Sequence, residues 1–288
     1  VSQTTNSRGE IHDLGYARYA GPRRPPSASW QVIARQQIAF AWATWWRWKL
    51  ALGFAVVTTA IGAAILYFVP GGGADRTIAM TTAFYRLPAF IVTMTLTSTL
   101  VARDVETGAF GFYFSRPVRP IDYVLGKLVG NFGVMASLLV AGPLLLSLVR
   151  MAVAESWSAT QAALPMMGVT LLVGVVAALF FTAVPLAMSA LLGRRWLALG
   201  LWAGYYVPLT TMLAVMGSLR WTPLMAADPP HALNALAFRL GGIKFPSNDP
   251  HPSLEASGIA LAVVTLAALV AFAAMVMRRG SSSVGASS

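Results

Sequence analysis

Six stretches of the chain run without an interior charge for roughly the length that crosses a bilayer: 50–69, 87–102, 126–149, 162–190, 197–216 and 258–277. A spanning helix needs about 20 mostly apolar residues, so the pattern predicts an all-α, polytopic membrane protein with six transmembrane helices. The second stretch is the shortest and opens beside a proline. It is expected to begin nearer Ala83, with Arg86 snorkelling to the interface. The fourth is too long to cross upright, and Pro165 and Pro185 predict that it kinks or that its ends lie in the headgroup layer.

The polar connectors carry signals of their own. Trp42, Trp45, Trp46 and Trp48 crowd ahead of the first span, and Arg35, Arg47 and Lys49 stand among them. Indole rings favour the headgroup layer, so residues 30–49 read as an interfacial helix, on composition more than on periodicity: Ile38, Trp42 and Trp45 share a face, whereas Phe40 and Trp46 do not. The alternative is that this segment extends the first span. Residues 1–29 form a basic N-terminal tail without apolar periodicity, and the Ser-rich 278–288 reads as a disordered tail. In the connector 217–257, Leu233, Leu236, Ala237 and Leu240 share one face of a short helix expected to lie on or dip into the outer leaflet. Asp228, His231, Asp249 and His251 fit no metal-ligand spacing and read as solvated loop residues, so no metal site is expected.

Composition sharpens the class. Of 288 residues, 57% are hydrophobic and 11% charged, against about 25% charged in soluble domains. The segments before span one, between spans two and three (with Lys127 at the edge), between spans four and five, and after span six hold 15 of the 21 Lys and Arg. By the positive-inside rule both termini are cytosolic. The net charge of +11 is thereby an insertion signal, and no nucleic-acid partner is expected. Apart from Arg86 no ionisable group lies deep in a span, which argues against a proton relay or an intramembrane protease. Cysteine is absent. Thr93, Thr95, Thr97, Ser98 and Thr99 are expected to hydrogen-bond within their helix or to a neighbour, and sodium coupling through hydroxyls and carbonyls stays open. There is no G-x-x-x-x-G-K-[ST] motif. The chain is not expected to be an enzyme by itself and has no catalytic residues; uphill transport would need a separate ATPase.

The most informative connector runs from Arg103 to Lys127, R-D-V-E-T-G-A-F-G-F-Y-F-S-R-P-V-R-P-I-D-Y-V-L-G-K. Phe110, Phe112, Tyr113 and Phe114 form an aromatic run, and Pro117 and Pro120 frame a rigid turn. Apolar surface of this kind is normally buried against something, here a partner or the headgroup layer. The pattern Glu106-x-Gly108, then Phe114-Ser115-Arg116-Pro117-Val118-Arg119, then Tyr123-Val124-Leu125-Gly126-Lys127 resembles that of ABC-2-type transporter permeases, the membrane subunits of ABC exporters. Ala109 and Pro120 depart from the family pattern. The resemblance implies a cytosolic coupling helix between spans two and three, formed around Glu106, Gly108, Phe112, Tyr113 and Phe114. Ser115, Arg116, Pro117 and Arg119 would make the adjacent turn, with Asp122 and Tyr123 leading into span three. It also implies a dimer with a second permease copy or a related permease. Cytosolic ABC ATPase subunits would carry ATP and Mg, this chain holding no cofactor, in a bacterial plasma (inner) membrane. Candidates for a dimer contact or substrate path are Gly200, Trp202, Gly204, Tyr205 and Tyr206, with Thr95 and Thr99. Uncharged spans favour a lipid-like or amphipathic cargo. The competing reading is a passive channel, or a scaffold that recruits a cytosolic partner through 103–127.

Overall fold

The computed structural model describes residues 29–44, 46–68, 73–114, 118–219, 222–245 and 251–285. Among them every regular element is helical. In chain order these are α1 (Ser29–Thr44), α2 (Trp46–Phe68), α3 (Ala74–Phe84), α4 (Arg86–Val92), a π-helical turn at Thr93–Thr97, and α5 (Ser98–Glu106). There follow α6 (Ala109–Phe114), α7 (Pro120–Leu139), α8 (Ala141–Ala152), α9 (Trp157–Leu192), α10 (Arg195–Gly204) and a second π turn at Tyr205–Leu209. The rest are α11 (Thr210–Leu219), α12 (Thr222–Met225), α13 (Pro229–Leu240) and α14 (Leu254–Gly285).

Five helical stretches among the described residues are long and apolar enough to cross a bilayer: Trp46–Phe68, Ala74–Glu106, Pro120–Ala152, Trp157–Leu192 and Leu254–Gly280. This is compatible with a multi-pass membrane protein. The expected span at 197–216 lies within α10, the second π turn and α11, and is not one of the five.

Proline placement explains where the long helices break. Proline has no N–H to offer the carbonyl four residues earlier. Pro88 stands four after Phe84, where α3 ends; Pro143 four after Leu139, where α7 ends; Pro208 four after Gly204, where α10 ends. In α9 the same chemistry is absorbed, since Pro165 and Pro185 both lie inside one continuous 36-residue helix. At about 1.5 Å per residue α9 is ~54 Å long, well beyond ~30 Å of hydrocarbon. Ser156 caps its start by accepting from the Ala159 N–H (3.2 Å). Gly193, at φ 62°, closes its end in the left-handed region that favours glycine. The core gathers on α9, whose Phe180, Phe181 and Leu186 are fully buried.

Several boundaries differ from those the sequence predicts. The helix expected at 30–49 ends at Thr44, and Trp46–Lys49 belong to α2. Its buried residues are the small or polar Ala34, Gln37 and Ala41, while Phe40 and Trp42 point outward. The reason lies on α7. A Cβ at Gly126 would stand 2.6 Å from the Ile33 Cβ, one at Gly130 2.8 Å from that of Gln37, and one at Gly133 3.2 Å from the Ile38 side chain. Successive turns of the two helices therefore meet in the same direction, and α1 docks on a bundle helix. The second span is longer than expected, starting at Ala74. The Ser-rich end is helical as far as Gly285, because α14 runs on past Arg279. The helix expected on the outer leaflet, α13, is instead packed into the bundle, with Ala232, Leu233, Leu236 and Ala237 all buried. The tail expected at 1–29 lies outside the described residues except for Ser29, as does Asp249.

Gly130→Val is expected to force α1 off α7 and destabilise the protein by about 1–3 kcal/mol, the usual range for overpacking. Because the chain lacks cysteine, an Ala34→Cys reporter should resist thiol labelling in the parent and become reactive in the Gly130→Val background. Unchanged protection would show that the close approach is not limiting.

Candidate coupling site at the 103–127 end

The segment between α5 and α7 is built as a knob with its own anchor. Gly108 adopts φ 69° between α5 and α6, a conformation that strains any residue with a Cβ, which gives the Glu106-x-Gly108 pattern a physical reason. The short α6 then presents Phe110 inward, where its ring lies 5.2 Å from that of Tyr123 and 5.4 Å from that of Phe114. Tyr113 packs against Tyr123 from the side, with ring centroids 5.5 Å apart. Burial and the neighbouring Asp104 push the Tyr113 phenol above its ordinary range. Phe112 is 56% exposed.

Tyr123 is the post on which this cluster turns. Fully buried, it donates its hydroxyl hydrogen bond to Asp104 Oδ2 at 2.6 Å. The same carboxylate oxygen receives Lys127 Nζ at 2.9 Å, with the two side chains only 7% and 16% exposed. The ammonium also stands 5.4 Å from the Tyr123 ring centroid. One α5 carboxylate thus holds two side chains from successive turns of α7. Asp122 sits at the third position of α7 and accepts from the Arg119 N–H across Pro120 (3.4 Å), satisfying the backbone donor at the helix start. From α14, Gly280 lies against Pro120 and Phe114; a Cβ there would approach to 2.8 Å and 3.5 Å.

Glu106 has a different role. It accepts from the backbone N–H of Arg195 at 2.8 Å and from Arg195 Nε at 2.6 Å. This clamp joins the end of α5 to the start of α10, with Arg195 57% exposed and Glu106 27%. Glu106 therefore braces α5 against α10. Arg119 is exposed. The expected turn residues Ser115, Arg116 and Pro117 lie outside the described residues.

The second set of candidate residues divides. Thr95 and Thr99 donate to carbonyls of their own helix, Ile91 and Thr95 respectively, at 3.0 and 2.9 Å. Gly200 and Gly204 have nothing within 4 Å of a built Cβ, so the G-x-x-x-G that makes a close contact within the chain is Gly126 and Gly130. Trp202 and Tyr206 are buried in an aromatic cluster. Tyr206 stacks on Phe90 (4.4 Å, 13°) and Tyr205 on Trp202 (5.9 Å, 27°), and the Trp202 indole donates to Thr93 Oγ1 at 3.1 Å. The two π turns meet there.

Arg86 does not snorkel. Only 5% exposed, it donates to the Pro230 carbonyl at 2.5 Å and to Asn234 Oδ1 at 2.6 Å, pinning α13 to α4. Its signal in the sequence was that it is the lone charge in an apolar run. Asp228, whose carboxylate takes the His231 N–H at 3.4 Å and contacts the His231 ring, caps α13. Among the described residues no three His, Asp or Glu side chains converge to hold a metal. No protein-family model matches the chain, and none of the curated proteins compared with it matches by sequence.

Removing one member of a buried pair leaves an uncompensated charge, whereas removing both does not. Lys127→Met is therefore expected to cost about 3 kcal/mol, and the double change Asp104→Leu with Lys127→Met less than either single one. Glu106→Gln should lower the unfolding temperature far less than either buried change, as exposed pairs do. Thermal unfolding in detergent checks the series, and simple additivity of the two buried changes would show that they do not form a pair.

Proposed function

We propose that the chain is the permease subunit of an ATP-driven exporter of the ABC-2 type. In this reading it has six spans and cytosolic termini in a bacterial inner membrane, and it works as a dimer that moves a lipid-like or amphipathic substrate. The observation that carries the reading is the way 103–127 is mounted. A short aromatic helix rests through Phe110, Tyr113 and Phe114 on the Tyr123 ring, and Tyr123 and Lys127 are tied to Asp104, which joins the ends of α5 and α7. A knob held this rigidly passes a push on its outer face to α5 and α7 instead of deforming. The Glu106–Arg195 clamp extends that path to α10. Phe112 and Arg119 supply the outward contact.

Under this reading ATP and Mg belong to cytosolic ATPase subunits, and this chain carries out no chemistry by itself. α1, fixed along α7, would move with the same unit.

Affinity purification from native membranes in mild detergent should co-elute an ABC ATPase. Its recovery should fall about tenfold in Phe112→Ala, the weight of one aromatic hot spot in an interface, while thermal stability stays unchanged. Recovery of no ATPase with the folded chain would favour the scaffold or channel instead.

A further inference from the structure

Helix α2 is among the less buried of the long helices, and an apolar cleft opens along the side where it meets α4. Ala51 and Pro88 form the buried floor, and Leu50, Phe54, Leu87 and Ile91 form exposed walls. The cleft has a volume of about 330 Å³. Its mouth is in the first turn of α2, between Trp46 and Arg47. The Arg47 guanidinium lies 5.7 Å from the Trp46 ring centroid.

Among the described residues Arg47 is the one charged residue lining the cleft. The sequence contains no Asp or Glu between Asp13 and Asp75, a stretch that includes Arg35, Arg47 and Lys49. No ion pair among the described residues includes Arg47. An apolar slot the width of one chain, ending at a cation and an indole, has the polarity of a single amphiphile. We infer that the α2–α4 cleft is a binding site for an anionic phospholipid, its acyl chain along Leu50, Phe54 and Ile91 and its phosphate on Arg47.

Lipid tails are as apolar as leucine, so the slot alone gains nothing over bulk bilayer. Selectivity comes from the head. One cation near the membrane surface gives an anionic lipid about a fivefold preference. The opposite side of α2 supplies an internal comparison. A groove of about 350 Å³ there is lined by Leu52, Ala55, Ala63, Ser137, Gly142 and Leu145 and their neighbours. It has no cation among its lining residues, and no headgroup preference follows.

The site is independent of the permease reading, since the bound lipid is a resident of the fold and not cargo. Its test involves no ATPase, so either proposal can fail alone.

The full chain is reconstituted in phosphatidylcholine vesicles holding a fixed minor fraction of phosphatidylglycerol. Brominated acyl chains are placed on one lipid or the other at equal mole fraction. The fluorescence lost on Trp46→Phe isolates the reporter at the mouth. That component should be quenched about fivefold more efficiently by brominated phosphatidylglycerol than by brominated phosphatidylcholine. The ratio should fall to about one in Arg47→Gln and persist in Lys49→Gln. A ratio near one in the parent, or one that Lys49→Gln lowers as much as Arg47→Gln, overturns the site in favour of diffuse surface charge. Lipid mass spectrometry of detergent-purified protein gives a second reading: the parent retains phosphatidylglycerol and Arg47→Gln loses it, whereas equal retention overturns the proposal.

Discussion

The stretch Ala74–Glu106 is where the arrangement is decided, because a polar group shut away from water has to find a partner inside the protein. Along its length the Tyr85 hydroxyl meets Thr59 on α2 at 2.6 Å, and Arg86 meets α13. Thr93 takes the Trp202 indole, and Thr97 donates to Asn131 on α7 at 3.3 Å. Farther on, the N–H groups of Val101 and Ala102 both donate to Ser189 Oγ on α9, at 3.1 and 2.9 Å. Asp104 and Glu106 complete the series. Five different helices, α2, α7, α9, α10 and α13, are registered against this one stretch. Apolar packing between such helices is nearly indifferent to a sliding turn, and these contacts are not.

The breaks in the long helices serve the same end. At Pro88, Pro143 and Pro208, though not at Pro165 and Pro185 of α9, the lost backbone donor coincides with a break or rewinding of the helix, and π turns commonly mark sites with a special role. Two such turns, Thr93–Thr97 and Tyr205–Leu209, lie together behind the Trp202 indole. The rewinding alters which residues face inward. Thr93 and Thr97 point into the core, and Thr95 and Thr99 toward the periphery. The hydroxyl-rich run therefore splits into one pair that ties helices together and another that satisfies only its own backbone.

Much of this was legible in the sequence, and the remainder was not, for identifiable reasons. Length and apolarity locate long helices directly, since they sum over many residues. The aromatic and proline pattern of 103–127 pointed to a short helix there, and α6 (Ala109–Phe114) is one. Which partner a polar residue takes is a tertiary fact: nothing in the linear order places Arg195, 89 residues on, beside Glu106. Arg86 was conspicuous as a charge, but snorkelling assumed lipid as its neighbour when its neighbour is α13. Likewise Gly126/Gly130 and Gly200/Gly204 have the same spacing, and only the opposing surface distinguishes them. Ile33 and Gln37 of α1 cover the first pair; among the described residues nothing comes within 4 Å of a Cβ at the second.

These differences divide the molecule into a tight and a loose half. On one side α5, α6, α7, α9 and α14 are joined by charge pairs, capping and ring contacts around Tyr123. On the other, α2 meets its neighbours mainly through Thr59 and through residues that leave an open groove on each flank. Even so, α2 and the cluster under α6 share one element: Thr59 of α2 meets the stretch Ala74–Glu106 at Tyr85, and Tyr123 meets it at Asp104. The register that this stretch imposes therefore reaches from the rings around Tyr123 to the flank of α2.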